Sequence, residues 1–375
     1  MTNYVIGINS GTSFDGIDAA LVSFKSGSLV PTFVNGITSE YQKIIKEKIE
    51  NLIIGNGDIF KLSQLNFLLG EIFADAALEI IKKTRLRPKD ILLIASHGQT
   101  IYHHPETENL SGYKVRSTLQ IGESSVIAQR TGIKTISNFR EADISADGQG
   151  APLMPYLDWV FFNKSKNIKA ILNIGGISNI TITGKGIMPI AFDIGPGNAL
   201  IDLISKISFK KDFDKDGDFA RRGKIFFKSV ERALRDPYFK KSPPKSTGKE
   251  YFNAYFIKKY FSRIKKKEDK LATVTYFTAK TIEKAFNDFV FPKYNVNEIV
   301  ISGGGIKNKT LIKHLRKLLP DLRLSSSDKY KLPAKYKEAI LFALLGYTCH
   351  LGKPNNIPSC TGAKKKVILG KIIKI

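Results

Sequence analysis

Cysteine occurs only twice in this chain, at Cys349 and Cys360, and that scarcity excludes both a disulfide framework and a cysteine-rich metal site. Long hydrophobic runs are missing as well. The best of them, 168–182, is interrupted by Lys169 and falls short of the roughly 18–20 apolar residues that span a bilayer. The opening MTNYVIGINSG has neither a basic region nor a small-residue cleavage site, so no secretory signal is expected and a cytoplasmic location is. Acidic residues are in short supply: 34 Asp and Glu face 59 Lys and Arg, a formal net charge of +25.

What is present is a chain of ordinary globular make-up. Its 375 residues are 42% hydrophobic and 25% charged, enough for two or three domains with real cores and too apolar for wholesale disorder. The excess charge is mostly lysine, scattered, and densest in 211–270 and 364–374. It is not interleaved with aromatics, as an RNA-recognition sheet requires. A solvated surface accounts for it, and neither nucleic acid nor membrane is expected as a partner.

The hydrophobic pattern alternates between strand and helix. Tyr4–Ile8 is a β-branched run, followed by the turn-rich segment 9–16 and a second apolar run at 17–24. Leu65, Leu68, Leu69, Ile72, Phe73, Ala76, Ala77 and Ile80 recur at helical spacing within 62–85, ahead of Pro88. A compact strand at 91–95 is expected to run into a polar loop, Ser96-His97-Gly98-Gln99-Thr100, and a short helix and strand follow at 124–132 and 134–137. The second half repeats this grammar. Strand 168–174, turn 175–179 and strand 180–183 are followed later by strand 298–302, a triple-glycine turn and a basic amphipathic helix at 309–319. Two strand–glycine turn–strand units about 160 residues apart suggest two related α/β lobes.

Standard nucleotide and hydrolase fingerprints are absent. Gly248-Lys249 is followed by Glu250 and Gly223-Lys224 by Ile225, so neither completes a phosphate-binding GxxxxGK[ST], and no GxGxxG or GxSxG occurs in context. Asp212-Phe213-Asp214-Lys215-Asp216-Gly217 imitates the start of a calcium loop, but its twelfth position is Gly223 where a bidentate Glu is needed. The five histidines, His97, His103, His104, His314 and His350, show no zinc-ligand spacing.

Three glycine turns leave hydrophobic strands: Gly11-Thr12-Ser13-Phe14-Asp15-Gly16, Gly175-Gly176 and Gly303-Gly304-Gly305. Glycine lets backbone N–H groups approach a phosphate closely, and Thr12, Ser13 and Asp15 add donors and an acid able to hold a hydrated Mg²⁺. Asp193, at another strand end before the rigid Gly195-Pro196-Gly197 turn, has two readings of equal weight: a general base, or a cap for the helix beginning near Asn198. The polar segments 96–104, 120–123 and 138–150 suit sugar recognition.

Taken in order, GTSFDGIDAAL, SHGQTIYHHP, LQIGESSVIAQRTG, NFREADISADGQGAPL, NIGGISNIT, FDIGPGNALID, DKDGDFARRG, PPKSTGKEYF, SGGGIKN, EAILFALLGY and NIPSCTGA resemble the motifs of the anhydro-N-acetylmuramic acid kinase family, over nearly the whole chain. The resemblance implies a two-lobed actin-like (ribonuclease H-like) ATPase/sugar-kinase fold with a central nucleotide cleft. Residues 1–150 plus 352–375 would form the N-terminal lobe, and 151–351 the C-terminal lobe. It further implies ATP and Mg²⁺ as cofactors and 1,6-anhydro-N-acetylmuramic acid as substrate, opened by water and phosphorylated on O6 in peptidoglycan recycling.

By that resemblance Asp193 activates water, and Gly11, Thr12, Ser13, Phe14, Asp15 and Gly16 form the first phosphate loop, with Asp15 toward Mg²⁺. Gly175 and Gly176 form the second loop, and Gly303, Gly304, Gly305 and Asn308 lie at the nucleotide. His97, Gln99, Glu123, Arg130 and Arg140 lie toward the sugar. Asn9, Glu123, Asp147 and Ile194 depart from the family's usual Met, Asp, Gly and Thr. On the residues alone, an actin-like ATPase with a protein partner and a basic nucleic-acid binder remain as alternatives, and a homodimer stays open.

Overall fold

The computed structural model describes residues 2–11 and 16–375. Thr12, Ser13, Phe14 and Asp15 of the first glycine turn lie outside the described residues. The chain divides into two compact units, 1–161 with 331–375, and 162–330.

The first unit is built on one sheet. Its strands are β1 (Thr2–Ser10), β2 (Gly16–Lys25), β3 (Thr32–Glu40), β4 (Ile91–Leu110), β5 (Tyr113–Ile121), β6 (Thr135–Ser137) and, after the second unit's five strands, β12 (Lys371–Ile373). They run in the order β3-β2-β1-β4-β6-β12, with β5 paired to β4. β1 pairs antiparallel with β2 and parallel with β4, so its Val5, Ile6 and Ile8 are enclosed on both faces. One face is covered by the helix Ile59–Lys83, which starts on the Asp58 cap and buries Leu65, Leu69, Phe73, Ala76, Ala77 and Ile80. Emptying the Phe73 site to Ala would cost about 3–5 kcal/mol.

The helix Lys337–His350 covers β1 and β4 and is apolar nearly all round. It comes close because Gly7 has no Cβ: a methyl there would collide with the Ala339 carbonyl oxygen. This packing puts the helix in the first unit, whereas the sequence boundaries assigned it to the second lobe. Residues 151–161 also belong to the first unit, where Asp158 forms a buried ion pair with Lys337 at 2.8 Å.

The second unit repeats the plan. β7 (Ile168–Ile174), β8 (Ile177–Thr183), β9 (Ile190–Pro196), β10 (Val296–Ser302) and β11 (Arg323–Ser326) run in the order β11-β10-β7-β8-β9. Each unit thus has a three-strand antiparallel meander whose first strand pairs parallel with the next strand of its unit outside that meander. That repeated strand order is the ribonuclease H-like arrangement that the family resemblance implied. Behind β9 lies an aromatic cluster of Tyr238, Phe239, Phe252, Phe256, Phe261 and Phe277.

Two expectations need correction. Residues 96–100 are strand, because β4 continues to Leu110 and Gln99 pairs with Ile121 of β5. Residues 177–179 also belong to a strand, paired with β9, so the second glycine turn is confined to Gly175-Gly176.

Candidate active site

In the second unit, β7 and β10 are parallel neighbours, so both release their glycine turns at the same sheet end. The carboxyl ends of such strands are where α/β sheets bind ligands. Gly303, at φ 83°, packs against the carbonyl of Ile174, the residue before Gly175; a Cβ at Gly303 would lie 2.6 Å from that oxygen. Gly176 accepts the N–H of Gly197 at 2.8 Å and of Ala199 at 3.0 Å, and Gly175 that of Asn198 at 2.8 Å. Thr278 holds the Gly197 carbonyl at 3.0 Å from the helix Lys267–Ala285. Four of the site residues expected from sequence, Gly175, Gly176, Gly303 and Gly304, therefore gather with Asn198, whose Nδ2 lies 3.7 Å from a Cβ built on Gly304.

Asp193 sits on β9, the edge of this sheet. Among the described residues its side chain caps no helix. The helix Ala199–Ile204 begins at Asn198 with no side-chain cap, and Asp193 Oδ2 accepts the backbone N–H of Thr247 at 3.0 Å. The same loop accepts the Asp193 N–H on the Lys245 carbonyl at 3.0 Å, and Tyr238 donates its hydroxyl to the Asp193 carbonyl at 2.7 Å. Burial pushes the Asp193 carboxyl up to about 6, helped by Glu250 and opposed by the Thr247 N–H. A carboxylate poised near neutrality, held by one hydrogen bond with lone pairs to spare, has what a general base needs.

Tyr238, Tyr251 and Tyr260 fix the loop from behind. Asp236 accepts the Tyr260 hydroxyl at 2.7 Å, the Tyr251 hydroxyl at 2.5 Å and the Tyr238 N–H at 3.1 Å. Lys245 is buried between the rings of Tyr238 and Phe289, 4.9 and 4.8 Å from their centroids, and burial lowers it to about 8.

The first unit gathers a second polar cluster. Arg140 Nε donates to His97 Nε2 at 3.1 Å, which leaves the ring proton on Nδ1, and Arg140 Nη1 donates to the Gly150 carbonyl at 2.7 Å. His97 stacks on Phe342 at 4.4 Å, and burial holds it well below the usual histidine range. Glu338 feels the Arg140 charge and accepts Asn9 Nδ2 at 2.6 Å, yet burial still raises its carboxyl. Asp143, fully buried, accepts from Gly150 N–H at 2.9 Å, Asn356 Nδ2 at 2.9 Å and Thr361 Oγ1 at 2.8 Å.

Other expected site residues are engaged elsewhere. Gln99 is fully buried and receives the Ser10 hydroxyl at 2.5 Å, tying β4 to β1. Glu123 caps the helix Ser124–Thr131 through the Ser125 N–H at 2.9 Å. Arg130 pairs with Glu71 and with Asp75 at 2.8 Å on the exposed side of the helix Ile59–Lys83. Asn308 caps the helix Lys309–Leu318 through the Leu311 N–H at 3.0 Å. In the calcium-loop imitation, Asp214 instead accepts the N–H groups of Phe219 and Ala220 at 2.9 and 3.0 Å.

The family model for anhydro-N-acetylmuramic acid kinase matches residues 3–374. The chain belongs to that family. It is 45% identical to the anhydro-N-acetylmuramic acid kinase of Caldanaerobacter subterraneus subsp. tengcongensis over 98% of this chain and 96% of that one. To the kinase of the same name from Bacillus thuringiensis subsp. konkukian it is 40% identical, over 98% of each. Among solved structures, (R)-2-hydroxyglutaryl-CoA dehydratase component A of Acidaminococcus fermentans aligns over 91% of this chain and 96% of that one, with a TM-score of 0.45 and 14% identity.

Three departures from the anhydro-N-acetylmuramic acid kinase pattern have local explanations. Asn9 supplies the amide that Glu338 accepts. Asp147 adopts φ 66°, the left-handed conformation that favours the family's Gly, and pairs with Lys364 at 2.9 Å. Ile194 is buried in the second unit's core, where an aliphatic side chain suits its surroundings. Sequence reasoning did not single out Glu338 and Asp143, which the structure brings into this polar cluster. Both stand in motifs that carried the resemblance, and a lone acid at the start of the apolar run EAILFALLGY was the available signal for Glu338.

Proposed function

We propose that this chain is an ATP-dependent kinase that hydrolytically opens 1,6-anhydro-N-acetylmuramic acid and phosphorylates O6. The products are N-acetylmuramic acid 6-phosphate and ADP, and the reaction serves peptidoglycan recycling in the cytoplasm. Family membership supports the kinase reading. The observation that carries the mechanism is the Asp193 carboxylate, free of any helix end and raised by burial to about 6.

In the proposed reaction Asp193 takes a proton from water as the water oxygen bonds to C1 of the sugar. The C1–O6 bond breaks and its electron pair stays on O6. O6 then bonds to the γ-phosphorus of ATP, and ADP departs with the electrons of the broken P–O bond. Transfer of this kind depends mainly on in-line positioning and charge stabilisation.

The glycine turns fit a polyphosphate on the chemistry of their donors. Gly175, Gly176 and Gly303–Gly305 offer backbone without side chains at adjacent parallel strand ends. Gly11 to Gly16 would form the other phosphate loop, with Asp15 as the acid that would hold Mg²⁺ through water. Bound there, Mg²⁺ supplies charge neutralisation on the phosphates. His97 and Arg140, with Glu338 and Asp143, are the polar groups assigned to the sugar.

The test is ADP release by the purified chain with ATP and Mg²⁺, with and without 1,6-anhydro-N-acetylmuramic acid. Release that requires the sugar supports the proposal. Turnover indifferent to the sugar, or dependent on a protein partner, overturns it.

A further inference from the structure

In the loop 241–250, Lys245 and Lys249 have opposite surroundings. Lys245 is buried against aromatic rings and anchors the loop. Lys249 is exposed and, among the described residues, has no ion-pair or hydrogen-bond partner. Its stem nevertheless crosses the second glycine turn: a Cβ built on Gly176 would lie 2.6 Å from Lys249 Cε and 3.6 Å from Nζ. Its charge is felt by Asp202, on the helix that follows the turn, whose carboxyl is pushed up to about 6 by burial while Lys249 opposes the shift.

A bare ammonium held over a side-chain-free turn is a site for an anion. The loop is not free to carry it away. Thr247, two residues earlier, is bonded to Asp193, and the Lys245 carbonyl is bonded to the Asp193 N–H. One short loop therefore touches the base that opens the sugar and overhangs the turn assigned to phosphate.

We propose that Lys249 is a catalytic residue that binds the terminal phosphate of the nucleoside triphosphate at the Gly175–Gly176 turn. It rests on the kinase reading above. Lys249 stabilises negative charge on the phosphoryl oxygens as the bond from O6 to phosphorus forms and the bond to the ADP oxygen breaks. It remains an ammonium throughout, so no proton enters or leaves the balance through it.

The full chain is compared with Lys249→Ala and Lys249→Arg, using ATP and ADP with Mg²⁺ as probes in binding and ATP with the anhydro sugar in turnover. Lys249→Ala should bind ATP about tenfold more weakly, the loss of one charged hydrogen bond, while ADP changes less than about twofold. Its turnover should fall about 10²-fold, as when one charge-stabilising donor is removed. Lys249→Arg should recover most of both, because the cation is kept. Equal loss of ATP and ADP with a lowered thermal midpoint would make Lys249 a structural partner of Asp202 and overturn the proposal. Unchanged ATP binding in Lys249→Ala would overturn it too. A wild-type chain without sugar-dependent turnover would overturn the kinase reading, and the ATP-against-ADP comparison would still judge Lys249 separately.

Discussion

The Thr247 backbone N–H donates to Asp193 Oδ2 at 3.0 Å, and this bond separates two roles that the sequence left balanced. A capping aspartate spends its carboxylate on the first turn of its own helix. Asp193 spends one oxygen on a loop more than fifty residues further on, and the helix Ala199–Ile204 starts without it.

Asp193→Asn should therefore reduce turnover by roughly 10²–10⁴, the contribution of a positioned general base. ATP binding should remain near the wild-type value, since the glycine turns are separate residues. Single-turnover kinetics with a nucleotide-binding titration check this, and near-normal turnover would remove Asp193 from the chemistry.

The pH profile follows from the same carboxyl. A base must be deprotonated, and Asp193 lies near 6, so kcat should decline as pH falls through about 6. Glu250 helps to raise that carboxyl. Glu250→Gln removes the like charge, makes the carboxylate easier to form and should move the acid limb to lower pH. A limb that stays in place in Glu250→Gln would assign the titration to another group.

The buried pair Lys337–Asp158 gives a stability prediction. The two side chains are 6% and 1% exposed, so the ions are desolvated and depend on each other. Lys337→Met leaves Asp158 as an uncompensated buried charge and should cost about 3–5 kcal/mol. Replacing both, Lys337→Met with Asp158→Leu, should recover most of that loss. Urea midpoints of the single and double variants measure it, and an equal loss in both would mean that packing rather than charge governs the site.

The fold was legible where side-chain period and burial agree. The run Leu65 to Ile80 sits on one helix face because apolar residues three and four apart share a face, and β7 was bounded by its own β-branched run. The reading failed at 96–100, where Ser96 and Gln99 look like loop residues but are buried in β4. The polarity of Gln99 is matched by the Ser10 hydroxyl, and such pairing across 89 residues leaves no local trace. In the same way Arg130 and Arg140 look alike in sequence. Only the tertiary structure turns Arg130 toward Glu71 and Asp75, and Arg140 toward His97 and the Gly150 carbonyl.

The central claim is that water activated by Asp193 opens the sugar bridge and that O6, once released, takes the phosphate. The direct measurement is the reaction run in ¹⁸O-water and analysed before the free anomeric hydroxyl exchanges. The account predicts label at C1 of the product and none in its phosphate. Label in the phosphate would mean that water attacks phosphorus, and it would contradict the account.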